Sequence, residues 1–166
     1  MTIAEFDNLD TSKKREILWQ CCGSSAWVEK MLTMPPAEDL IDLFEDAEEK
    51  WYECTKADWK EAFSHHPRIG EVNALQNRSS SDFSEGEQSS VRNASEQVLK
   101  SLAKTNKAYE EKFGYIFIVC ASGRSAEEML AMMETRLHNN AEDEIKIAME
   151  EQNRITRLRL EKLFNS

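Results

Sequence analysis

Tyr115-Ile116-Phe117-Ile118-Val119-Cys120-Ala121 is the stretch whose reading decides the fold class. It is apolar on every side and rich in β-branched residues. Such a run suits a buried strand or a buried helical segment, and periodicity does not separate the two. A strand needs a neighbour for its backbone groups, and no second convincing strand exists elsewhere in the chain. The run is therefore read as helical or irregular within a helical core, and the chain as all-α.

The flanking segments support this reading. Upstream, Ser84-Glu85-Gly86-Glu87 has the form of a capping box. Val91, Ala94, Val98 and Leu102 then follow at i, i+3, i+7 and i+11, so the spacing predicts one long helix ending near Phe113-Gly114. Downstream, Ser125-Ala126-Glu127-Glu128 opens a helix carrying Leu130, Met133 and Leu137. Asn139-Asn140 closes it, and a last helix is expected from about Glu142 to Leu163.

Towards the N-terminus, Ile17, Leu18, Cys21 and Cys22 form a helical stripe that stops at Gly23. Trp27, Val28, Met31 and Leu32 repeat it until Pro35-Pro36. Leu40, Ile41, Phe44, Ala47 and Trp51 make a third stripe, and Thr55-Lys56-Ala57-Asp58 caps a short helix with Trp59 and Phe63. From Ser64 to Phe83 the periodicity fails over about twenty residues, a length that in a compact domain is functional or disordered. With no repeat and no linker, residues 1–166 are expected to form a single-domain multi-helix bundle.

Composition narrows the partners. The chain has a net charge of −10 and no Lys/Arg-rich run, so nucleic acid is not an expected partner. With 40% hydrophobic residues it is globular, and no apolar run reaches the roughly 20 residues needed to span a bilayer. The four cysteines form no C-x-x-C pair for zinc or redox work, and their helical core positions, with no signal peptide, indicate a reducing compartment. The N-terminus lacks the basic-then-apolar pattern of a secretion signal, and the C-terminus is not a Ser-Lys-Leu address. A cytoplasmic location is therefore expected.

Three places carry chemistry. Pro67 disfavours the helical conformation at His66 and holds it extended, while Gly70 loosens the backbone close by. A histidine on such a loop suits proton transfer, since its unperturbed pKa lies near neutrality. It also fits a plain polar loop. Adjacent His65 and His66 would point apart in an extended chain, and no H-x-x-x-H spacing exists, so no metal site is expected. Glu87 has two readings: the structural carboxylate of the capping box, or part of a polar cluster with Ser84 and Gln88 where backbone N–H groups favour an anion.

Arg159 is the third. On the last helix it falls roughly 40° from Ile145, on the face of Ala148, Gln152, Ile155 and Leu163, whereas Arg157 lies roughly 120° from Ile145, towards solvent. An arginine on an apolar stripe must meet either a buried carboxylate or a bound anionic or urea-like ligand. Arg154 and Arg157 are read as surface charge.

Taken in order, His66-Pro67-Arg68-Ile69-Gly70, Ser84-x-x-Glu87-Gln88, Tyr109-Glu110-x-Lys112-Phe113-Gly114-Tyr115-Ile116-Phe117-Ile118, Gly123-Arg124-Ser125-x-Glu127-Glu128-Met129-Leu130 and Ile155-Thr156-x-Leu158-Arg159-Leu160 form a series. In these motifs the chain closely resembles the 2-oxo-4-hydroxy-4-carboxy-5-ureidoimidazoline (OHCU) decarboxylases of urate breakdown, over nearly its whole length. The resemblance implies an all-α homodimer without a cofactor, which converts this ureidoimidazoline to (S)-allantoin. By matching motifs, it implies that His66 and Glu87 are catalytic and that Pro67, Ser84, Gln88 and Arg159 bind substrate. It also implies that the backbone of Phe117, Ile118 and Val119 lines the pocket. His65 departs from the pattern, where a smaller residue is commoner. The rival readings are another small hydrolase or isomerase acting on a ureido compound, and a helical scaffold without catalysis.

Overall fold

The computed structural model describes residues 1–68 and 95–165. Among them stand eight helices and no strand: α1 (Ile3–Asp7), α2 (Thr11–Cys21), α3 (Ser25–Leu32), α4 (Leu40–Tyr52), α5 (Lys56–Ser64), α6 (Glu96–Phe113), α7 (Ala126–Arg136) and α8 (Ala141–Phe164). The chain is all-α, as its helical stripes and the lack of a second strand candidate lead one to expect. Its described part falls into two compact units, one within residues 1–63 and 152–165 and one within residues 64–68 and 95–151.

In the first unit the helices start where side chains can take up orphan backbone N–H groups. Asp10 caps α2, Ser24 caps α3 and Asp39 caps α4. Thr55 and Asp58 form a reciprocal pair at α5: Asp58 N–H donates to Thr55 Oγ1 at 3.3 Å and Thr55 N–H to Asp58 Oδ2 at 2.9 Å. Trp27 is wholly buried and donates its indole N–H to the Ala47 carbonyl at 2.9 Å. The Trp59 indole bonds the Trp51 carbonyl at 3.1 Å. The end of α8 belongs to this unit, with Phe164 edge-on to Phe6 at 5.7 Å and Asn153 bonded to Glu48 at 2.7 Å.

One expected core position is wrong. Ile41 is 66% exposed, and Leu43 takes the buried place with Ala47 and Trp51. The inward face of α4 runs i, i+4, i+8 through Leu43, Ala47 and Trp51, and Ile41 sits roughly 200° from Leu43.

In the second unit α6 begins at Glu96, with Ser95 as its extended N-cap (φ −64°, ψ 154°) accepting from Val98 N–H. One unbroken helix from Ser84 is therefore excluded, since a capping serine in extended conformation interrupts it. Residues 69–94, including the expected Ser84 capping box, lie outside the described residues. At the other end Gly114 takes φ +81° and returns its N–H to the Glu110 carbonyl at 2.8 Å. That left-handed turn releases the chain into residues 115–121, which are irregular and almost wholly buried. Ser125 caps α7 as expected, and Asn140 caps α8. Lys112 Nζ reaches the Leu137 and Asn139 carbonyls at 2.7 and 2.9 Å, satisfying acceptors left over at the end of α7.

All four cysteines are free thiols and all are buried, Cys21, Cys22 and Cys54 in the first unit and Cys120 in the second.

Candidate active site

Helix α5 ends at Ser64, His65 stands exposed in the turn, and His66 and Pro67 are half-buried. The break falls where Pro67 makes the helical conformation unfavourable for His66. Arg68 then anchors the loop: its Nε lies 3.0 Å from each carboxylate oxygen of Glu110 on α6. Ser84, Glu87 and Gln88 lie outside the described residues. His66, Pro67 and the Phe117–Val119 segment belong to the second unit, and Arg159 to the first.

Phe117, Ile118 and Val119 are buried. Beneath them lies a polar network that the sequence reading did not identify. Arg136 is only 5% exposed, and Glu144 on the first turn of α8 is 0% exposed. Arg136 Nε donates to Glu144 Oε1 at 2.8 Å, and Nη2 lies 2.7 Å from the same oxygen, off line for a hydrogen bond. The Tyr109 hydroxyl donates to Glu144 Oε1 at 2.5 Å and Asn139 Nδ2 to Oε2 at 3.0 Å. Burial and the bond to Glu144 hold the Tyr109 hydroxyl well above the ordinary tyrosine range, so it stays a donor. The remaining arm of Arg136 turns to the main chain: Nη1 donates to the Ile118 carbonyl at 2.7 Å, with Cζ 4.2 Å from the Phe117 ring centroid.

One signal could have found this network. Arg136 follows Met129 and Met133 on the buried face of α7, which makes it a charge inside an apolar stripe. Arg159 is likewise a charge inside an apolar stripe, on α8. Tyr109 and Glu110 sit side by side on α6, yet Tyr109 meets the Phe117 ring edge-on at 5.3 Å while Glu110 holds Arg68. Consecutive residues of one helix thus touch both motif segments of this unit.

Arg159 faces inward as expected and is 6% exposed. Among its contacts are two of a kind the sequence did not suggest. Its Nη1 donates to the Gln20 and Cys21 carbonyls, at 3.4 and 3.2 Å, where α2 leaves its last acceptors unsatisfied. Cys22 beside them is pushed up to about 12 by burial, opposed by a hydrogen bond from Thr156 and the charge of Arg159, so its thiol is no nucleophile. Arg157 lies on the solvent side, paired with Glu161 at 3.2 Å. Among the described residues no group of three His, Cys, Asp or Glu side chains is placed to hold a metal ion. A separate cavity of about 120 Å³, lined mainly by apolar side chains such as Phe6, Leu18, Met31 and Phe164, includes none of these motif residues.

Among the described residues the chain is helical, with a histidine at a helix exit and buried arginines bonded to backbone carbonyls. Comparison with known proteins gives its family. The chain belongs to the OHCU decarboxylase family, whose sequence profile matches residues 7–161. It is similar to the uric acid degradation bifunctional protein TTL of Arabidopsis thaliana, 41% identical over 150 residues, covering 87% of this chain and 45% of that protein. It is also similar to a 2-oxo-4-hydroxy-4-carboxy-5-ureidoimidazoline decarboxylase of Haloferax volcanii, 23% identical over 100% of this chain and 98% of that protein. The chain thus spans less than half the length of the bifunctional relatives it matches. Among solved structures, an OHCU decarboxylase crystallised in the presence of (S)-allantoin superposes with a TM-score of 0.76. It is 37% identical and covers 90% of this chain and 99% of that one.

Proposed function

We propose that this chain removes the carboxylate of 2-oxo-4-hydroxy-4-carboxy-5-ureidoimidazoline as carbon dioxide and delivers (S)-allantoin, with no cofactor. The observation that carries the reading is the 37% identity to an OHCU decarboxylase crystallised in the presence of (S)-allantoin, over 99% of that chain.

The chemistry suits the residues. When the C–CO₂ bond breaks, its electron pair moves towards the adjacent ring C=N, whose nitrogen takes a proton. The resulting enol then loses its hydroxyl proton while the neighbouring ring carbon gains one. One proton is consumed and one carbon dioxide leaves. In this reading His66 carries the proton transfers, and Glu87 holds the ureido or ring N–H groups and tunes His66. Ser84, Gln88, Pro67 and the Phe117–Val119 backbone surround the substrate. Arg159, steadied by the Gln20 and Cys21 carbonyls, binds the anionic or carbonyl edge. Protonation of the ring carbon from one face fixes the (S) hand.

The working protein in this reading is a single domain over residues 1–166, a homodimer in the cytoplasm. A family match running through both compact units supports the single domain. Among the described residues no helix is long and apolar enough to cross a membrane.

The test generates the unstable substrate from urate with the two preceding enzymes and follows the product by circular dichroism. (S)-Allantoin should form faster than the spontaneous rate, and His66→Ala should slow it by roughly two to four orders of magnitude. Racemic allantoin at the spontaneous rate would overturn the assignment.

A further inference from the structure

We propose that Arg136 is a positioning residue for this reaction, acting through the Ile118 peptide to aim the Val119 N–H at the substrate. The inference rests on the reading above, in which the Phe117–Val119 backbone lines the pocket.

A buried ion pair alone is weak evidence for any role, because its desolvation cost offsets most of its attraction. Arg136 does more than pair. Glu144 occupies its Nε edge, and Glu144 is itself held by Tyr109 and Asn139. The guanidinium is thereby fixed in plane, and its Nη1 is presented to the Ile118 carbonyl at 2.7 Å. The Phe117 ring, 4.2 Å from Cζ, packs on the guanidinium face. One cation therefore fixes two successive residues of a segment that has no helical ladder to set its peptide planes.

The consequence follows from peptide geometry. In a planar trans peptide the carbonyl of one residue and the N–H of the next point in opposite directions. No cis bond occurs among the described residues. Because the Ile118 carbonyl points at Arg136, the Val119 N–H points away from it. That leaves a fixed backbone donor suited to a carbonyl or carboxylate oxygen of the ureidoimidazoline, and a fixed donor costs no reorganisation during reaction.

Two variants test this, Arg136→Lys and the milder Tyr109→Phe, with folding checked by circular dichroism and urea unfolding. The readouts are kcat and KM, the optical purity of the product, (S)-allantoin affinity by calorimetry, and the Val119 amide signal in ¹⁵N-labelled protein. In the wild type that signal should shift on adding (S)-allantoin. Arg136→Lys should raise KM about tenfold, the effect of losing one charge-assisted hydrogen bond. It should also lower the (S) excess and displace the Val119 signal before ligand is added, with Tyr109→Phe following in the same direction. A purely structural role predicts lower stability with unchanged KM, optical purity and Val119 signal, and that result overturns the proposal. If Arg136→Lys fails to fold, Tyr109→Phe decides on the same readouts. Failure of the wild type to make (S)-allantoin removes the decarboxylase reading itself. An active wild type whose Val119 signal ignores (S)-allantoin removes only this inference.

Discussion

Arg68 Nε stands equidistant, at 3.0 Å, from the two carboxylate oxygens of Glu110, so the residue after His66-Pro67 is clamped to the last third of α6. The pair is partly exposed, at 47% for the Arg68 side chain and 25% for Glu110, and contributes under about 1 kcal/mol to stability. Its value lies in placement. Arg68→Ala or Glu110→Gln should lower kcat/KM about 10-fold by loosening His66, while the urea midpoint hardly moves. Higher salt should bring the wild type partway towards the variants, because a half-exposed pair is screened. Unchanged kcat/KM in both variants would reduce the pair to a surface contact.

Arg159 invites a substitution pair. Arg159→Met removes the donor from the Gln20 and Cys21 carbonyls and should cost about 1–3 kcal/mol of unfolding free energy. Arg159→Lys keeps the charge near the α2 terminus and most of that stability. It loses the planar fork and should raise KM more than about tenfold. Equal stability loss in both variants with an unchanged KM would make Arg159 a purely structural residue.

Stability should fall at alkaline pH. Burial raises the Cys22 thiol from 9.0 to about 12, and burial together with the Asp58 charge raises Cys54 from 9.0 to about 11. These groups are held protonated in the fold, so above pH 9 the unfolded chain binds fewer protons than the native one. The stabilisation is complete below the unfolded value and is lost as pH rises towards the folded values. For Cys22 the slope reaches at most about 1.4 kcal/mol per pH unit. Urea unfolding at pH 8.5, 9.5 and 10.5 should show the decline, and Cys22→Ser should flatten it. A midpoint constant to pH 10.5 would contradict this account.

Gly114 is the hinge between α6 and the buried segment. Its φ of +81° disfavours any side chain, although a methyl group there would meet nothing within 4 Å. Gly114→Ala should therefore cost about 1–2 kcal/mol from backbone strain alone. A loss above about 3 kcal/mol in the same unfolding experiment would point to packing that the open space around Gly114 does not suggest.

The helices were legible because side-chain direction on a helix follows from spacing. Trp27, Val28 and Met31 are buried together, Ser125 caps where its motif places it, and Arg159 faces inward. Spacing says which way a side chain points but not what it meets. Arg159 meets helix-end carbonyls, an option outside the carboxylate-or-ligand alternative. Boundaries were harder: Ser84 and Ser95 are both good capping residues, and only the extended backbone at Ser95 locates the start of α6. The segment 115–121 was the least legible. Its composition fixes burial, whereas the partner of its Ile118 carbonyl is Arg136, 18 residues away.

The burial of all four thiols also makes the molecule its own stopwatch. A thiol-specific reagent can modify these cysteines only when the surrounding structure opens, so the labelling rate measures the frequency of opening. Cys21, Cys22 and Cys54 report on one compact unit and Cys120 on the other. Mass spectrometry of the labelled peptides would then time the two units separately in a single tube. A bound product that slows labelling at Cys120, one residue beyond Val119, would register ligand at that segment without any turnover assay.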